Sequence, residues 1–146
     1  MQTIKNILLA TDFSEASDDA ATHAMTLAQL TGAHLHVLHV ISELEEHQRV
    51  MVPREAFQTL QQEIEIQTIK ELERFCAGKA DCVSSTSHAV IGKPYRAIVD
   101  TAEKIGVDMI VMGTHGRTGV EHVLVGSTAE RVVRHSTIPV LTVRAK

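Results

Sequence analysis

Residues 108–144 read DMIVMGTHGRTGVEHVLVGSTAERVVRHSTIPVLTVR, and the order of elements within that stretch decides the fold. DMIVMG (108–113) is a short, nearly continuous apolar run, the pattern of a strand covered on both faces. Residues 127–135 carry helix spacing and stop before Pro139, and PVLTVR (139–144) returns to β-branched strand character. Strand, helix, strand with no tight hairpin turn between them is the unit that builds parallel sheets.

The same alternation extends toward the N-terminus. IKNILLA (4–10), HLHVLHVI (34–41) and CVSSTSHAVI (82–91) read as further strands, the last with a polar middle. Helices are expected over 15–31, stopped by Gly32, over 55–77, and over 94–105, opened by Pro94 and stopped by Gly106. SELEEHQRVMVPRE (42–55) reads as a long charged surface loop. The expected fold is therefore α/β, a doubly wound three-layer sandwich on a five-stranded parallel sheet, as one domain over 1–146. In such sheets ligands sit beyond the carboxyl ends of the strands, where strand order reverses, so the loops after Ala10, Val40, Ile91 and Gly113 are the ones to read.

Composition removes several function classes. Aromatic residues are only 3% of the chain, with no Trp, which argues against a stacking platform for single-stranded nucleic acid. The net charge is -4 and no Lys/Arg block stands out, so a nucleic-acid partner is not expected. No apolar run approaches the length of about eighteen residues that a membrane span needs, and MQTIKNILLATDFS lacks a signal-peptide pattern. Cys76 and Cys82 lack zinc-type spacing and read as reduced thiols in a cytoplasmic protein.

The loop after the fourth strand holds Gly113, Gly116 and Gly119, and Gly126-Ser127 then opens a helix. Glycines let backbone amides approach a ligand closely, and a helix N-terminus favours an anion. Together these features suit a polyphosphate. A structural reading stands beside this one: Ser127 with Glu130 fits a capping box, and the glycines could serve turns alone. Asp12 has the same ambiguity, since with Glu15 it fits a cap on the first helix. A Walker-type GxxxxGK[ST] and a GxGxxG after the first strand are both missing.

The spacing G-x2-G-x9-G-[ST], met by Gly113, Gly116, Gly126 and Ser127, resembles the nucleotide-binding signature of the universal stress protein family. ILLATDFSEAS, LHVLHVI, GKPYRAIVDTAEKIGVDMIVMGTHGRTG and GSTAERVVRHSTIPVLTVR are similar to successive parts of that family's chain. The resemblance implies strand order 3-2-1-4-5 and membership of the ATP-binding subgroup. It places Ala10 and Asp12 beside the adenosine and the Val40 backbone at the adenine edge. Gly113, Thr114, His115, Gly116, Arg117, Thr118 and Gly119 would wrap ribose and phosphates, and Gly126, Ser127 and Thr128 would hold the phosphate end. Thr128 stands where the family commonly has an apolar residue. The implied cofactor is ATP or ADP with Mg²⁺, the metal held through the phosphates with Asp12 nearby. The implied partner is a second copy, paired through Val140, Leu141, Thr142 and Val143 on the last strand.

The expected role is a regulatory or signalling module; a slow ATPase or phosphoryl or adenylyl transferase, and a nucleotide-free dimeric module, are the rivals. Among nine histidines, His34 and His36 share a strand face and His39 lies on the other; two ligands at that spacing do not make a structural zinc site.

Overall fold

The computed structural model describes residues 3–43, 51–79, 83–115 and 125–145. Five strands, β1 (Asn6–Ala10), β2 (His34–Ser42), β3 (Ser85–Gly92), β4 (Met109–Gly113) and β5 (Val140–Val143), form one sheet in the order β3-β2-β1-β4-β5. All four pairings are parallel, as the alternating element order requires. Between the strands run α1 (Glu15–Thr31), α2 (Arg54–Cys76), α3 (Pro94–Ile105) and α4 (Ser127–His135).

Each sheet face has its own core. Ile7 and Leu9 of β1, Leu35 and Val37 of β2 and Val111 of β4 pack beneath α1 and the end of α2. Leu8, Leu38, Ile110 and Met112 pack beneath α3 and α4. The period-two alternation sends neighbouring residues to opposite faces, and both faces are covered. Ala20, Ala21, Ala24 and Ala28 line the buried side of α1, so that helix lies close upon the sheet.

Local signals fix the helix ends. Ser14 is the N-cap of α1, its side chain accepting from the Ser17 amide, and Gly32 closes the helix at φ 71°. The cap thus lies two residues beyond Asp12, for which a cap was one of two open readings. Pro94 starts α3 and Gly106 ends it, at φ 75°. β3 begins at Ser85 and keeps its polar residues exposed or half-buried, because it is an edge strand. α2 buries only Thr68 and Leu72.

Where the sheet starts, Asp108 ties β4 to β1. Its Oδ2 accepts from the Lys5 and Asn6 amides at 2.8 and 2.9 Å, and its own amide donates to the Asn6 carbonyl at 2.8 Å. Those two amides hold the carboxyl below its ordinary value of 3.8. A carboxyl with a depressed folded value adds stability above the unfolded value, and that contribution is lost as pH falls through the folded one. Asp108→Asn is therefore expected to melt at a lower temperature than the wild type at pH 7. The gap should close as the pH is taken down below 3.8, which thermal melts across that range will show.

Candidate functional site

β1 and β4 are neighbours although they are distant in the chain, and their carboxyl ends diverge into separate connections. The crevice between those connections is a cleft of about 350 Å³, within the range of small-ligand sites. Its wall on one side is the turn from β1 into α1. There the Thr11 amide extends the sheet by donating to the Leu38 carbonyl at 2.9 Å, and Thr11 Oγ1 accepts from the Phe13 amide at 3.0 Å. Asp12 Oδ1 accepts from the Ser14 amide at 3.0 Å and from Ser17 Oγ at 2.7 Å. The Asp12 carboxylate thus braces the first turn of α1 from the cleft side, rather than capping it.

Phe13, between Asp12 and the cap, has φ 63° in the left-handed region. That conformation costs a residue with a Cβ about 1–2 kcal/mol. The surroundings hold it: the Phe13 ring lies 4.6 Å from that of His39 and 6.0 Å from that of Phe75, centroid to centroid. His39 Nδ1 bonds the Thr11 carbonyl at 2.8 Å, so that nitrogen carries the proton. His39 therefore clamps the turn from the α1 and α2 side of the sheet.

The opposite wall is built from β4 and α4. Buried Thr114 donates its amide to the Val143 carbonyl at 2.9 Å and accepts at its own carbonyl from the Gly126 amide at 2.6 Å. The connection between β4 and α4 is thereby pinned at both ends on one residue. Thr114 Oγ1 also meets His115 Nδ1 at 2.9 Å. Gly126 is the N-cap of α4, at an ordinary φ of -66°, and among the described residues no side chain caps the helix.

The capping box that the Ser127 and Glu130 spacing fits, the alternative structural reading, does not form. Ser127 is already the first helical residue, and the Glu130 carboxylate pairs with Arg134 one turn on. The first turn of α4, whose leading amides have no partner within the helix, lines the cleft through Gly126, Ser127, Thr128 and Ala129. Gly113 also has a reason that spacing alone did not give. A Cβ there would stand 3.2 Å from the Ala16 carbonyl oxygen, so its bare backbone admits the first turn of α1.

Of the residues expected at the site, Ala10, Asp12, Val40, Gly113, Thr114, His115, Gly126, Ser127 and Thr128 all line this cleft. Gly116, Arg117, Thr118 and Gly119 lie outside the described residues. The cleft also takes Thr11, Ser17, Leu38, His39, Pro94, Ile98 and Met112, which the sequence reading passed over. Thr11 and Ser17 carried a usable signal, being small polar residues in the turn after a buried strand. Among the described residues, no three His, Cys, Asp or Glu side chains converge where a metal ion could sit.

Residues 3–144 match the Universal stress protein family. The chain belongs to that family. It is 32% identical over 155 residues to universal stress protein MJ0577 of Methanocaldococcus jannaschii, covering 97% of this chain and 96% of that protein. The solved structure of MJ0577 superposes with a TM-score of 0.85 at 33% identity, over 99% of both chains. A universal stress protein solved in complex with cAMP shares the fold, with a TM-score of 0.69 at 21% identity over 99% of this chain and 100% of that one. The strand order expected from the family resemblance is the one observed.

The strained turn at Phe13 is open to a direct test. Phe13→Gly and Phe13→Ala both lose the ring contacts, so their difference isolates the backbone. At φ 63° the glycine variant should be more stable by about 1 kcal/mol in urea unfolding. In an ordinary loop conformation alanine would be the more stable, by about 0.4–1 kcal/mol.

Proposed function

We propose that the cleft binds an adenine nucleotide, ATP or ADP, and that the protein acts through the bound state as a regulatory or signalling module in the cytoplasm. The observation that carries this reading is the N-terminus of α4, which lines the cleft and has no side-chain cap among the described residues. Its amides and dipole favour an anion, and Gly126, Ser127 and Thr128 stand there for the phosphates. The other end of the cleft is apolar, with Ala10, Leu38, Val40, Ile98 and Met112, and suits a base. An apolar slot joined to an anion-binding helix end is the shape of a nucleotide's own polarity. The cAMP complex of a family member is consistent with this use of the fold.

Asp12 also lines the cleft, with Oδ1 engaged by Ser14 and Ser17. It fits a contact to ribose or to a metal bridging the phosphates. Mg²⁺ would be held there mainly by phosphate oxygens, as this cation commonly is. Backbone amides bind the ground state about as well as a transition state, so they do not by themselves speed hydrolysis. We therefore read the site as one for retention, with slow turnover at most.

The test uses Ser127→Asp. Ser127 is exposed in the first turn of α4, where a carboxylate stabilises a helix by about 0.3–1 kcal/mol. The variant should melt no lower than the wild type. Its carboxylate would meet the phosphates, and ATP affinity in calorimetric titration should fall about tenfold or more, roughly 1.4 kcal/mol. Unchanged affinity in the folded variant would remove the phosphates from α4, and no ATP or ADP binding by the wild type would end the proposal.

We also propose a homodimer across the free edge of β5. The Ile110 and Thr114 amides donate to the Pro139 and Val143 carbonyls, so by strand alternation the Thr142 amide points away from β4. Val143 is already buried within one chain, and Val140 and Leu141 pack against its two cores. The expected interface is therefore mainly backbone pairing, with Val143 burial arising within the protomer. Thr142→Pro removes an outward donor, and light scattering at micromolar concentration should show a shift from dimer to monomer.

A further inference from the structure

On the face of the sheet under α3, three histidines from two strands meet where sequence separation hides the meeting. His34 and His36 lie on β2, and His88 lies on β3 opposite Leu38. His36 Nδ1 and His88 Nε2 face each other at 3.0 Å. Their ring centroids are 5.2 Å apart, and the His34 ring stands edge-on to His36 at 4.7 Å. All three side chains are partly open to solvent.

We propose that His36 and His88 form a site for a borderline divalent transition-metal cation of the Cu²⁺, Ni²⁺ or Zn²⁺ class, bound by the two facing nitrogens. A metal–imidazole bond is about 2.0–2.1 Å, so two such bonds at a tetrahedral angle put the nitrogens about 3.3 Å apart. To admit the ion the nitrogens part by a few tenths of an ångström from 3.0 Å, and each ring turns so that its lone pair leaves the line between them. His36 Nε2 lies 3.4 Å from Asn6 Oδ1. A proton on that nitrogen donates to the amide oxygen and leaves Nδ1 as the lone pair aimed at His88. An outer hydrogen bond of this kind orients a ligating imidazole. His88 becomes a ligand by carrying its proton on Nδ1 rather than Nε2, with no net loss of charge.

Neutral imidazole without a carboxylate partner selects borderline cations over Mg²⁺ or Ca²⁺, which ask for oxygen. His34 is a support rather than a ligand: Ser84 Oγ engages its Nδ1 at 2.5 Å and Thr86 Oγ1 its Nε2 at 2.8 Å. Two protein ligands with water completing the shell make an exchangeable site, not a structural one. Leu38, next on the same face of β2, stands between this pair and the cleft.

The experiment titrates Cu²⁺ into the nucleotide-free full chain and follows the histidine ring resonances by NMR. Below one equivalent, paramagnetic broadening should erase His36 and His88 first, then His34 beside them, while the other histidines persist. Electron paramagnetic resonance should show two coordinating nitrogens. His36→Gln and His88→Gln, checked by melting for an intact fold, should each bind Cu²⁺ at least about tenfold more weakly and lose one nitrogen from the spectrum. Uniform broadening of all histidines, or an unchanged affinity and spectrum in both variants, would overturn the proposal. The wild-type broadening pattern decides the matter even if a variant fails to fold.

Discussion

β1 is the strand on which the rest of the structure depends. Both of its edges are taken, one by β2 and the other by β4, and both neighbours run parallel to it. Parallel pairing forbids hairpins, so the chain must leave each strand at its carboxyl end and return over a face of the sheet. Because β2 lies to one side of β1 and β4 to the other, the connections leaving β1 and β4 separate rather than overlap. A cleft at that point follows from the strand order, before any side chain is considered. What the side chains add is its chemistry.

The two walls obtain their rigidity differently. On the β1 wall a strained backbone at Phe13 is held by an aromatic contact with His39 and by short polar side chains, Thr11, Asp12 and Ser17. On the β4 wall the work falls to one buried residue, Thr114, which joins β4 to the end of β5 and to the start of α4. The walls touch through the missing side chain of Gly113, against Ala16. A change at Gly113 therefore acts on α1 as well as on anything bound, which makes it a poor probe of ligand contact. Ser127, exposed and at the cleft, separates the two effects.

Much of this was legible in the sequence. Strong apolar runs such as NILLA and MIVMG are strands because only a doubly covered sheet can bury them, and Gly32 and Gly106 mark helix ends through their left-handed backbone. The line of residues from Ala10 and Asp12 to Gly126 and Thr128 was implied by the family resemblance, and the strand order brings them to one cleft. Other features depended on contacts between distant segments. Ser127–Glu130 fits a capping pattern, yet the helix starts one residue earlier, and Glu130 finds Arg134 instead. Local pattern could not choose between those partners. His88 joins His36 only because β3 pairs with β2 in one particular register, and Asp108 anchors β1 across a separation of more than a hundred residues. The polar middle of β3 obscures a strand in the sequence because β3 lies at the sheet edge, where its polar side chains stay exposed or half-buried.

The central claim is that the start of α4 and the apolar floor beneath Val40 act on one ligand. Amide resonances followed by NMR during titration with ATP and Mg²⁺ address it most directly. The account predicts the largest shifts at Ser127, Thr128 and Ala129 and at Leu38 to Val40, moving together with a single affinity. A folded protein whose α4 amides stay fixed while ATP saturates, or whose shifts gather elsewhere on the sheet, would contradict it.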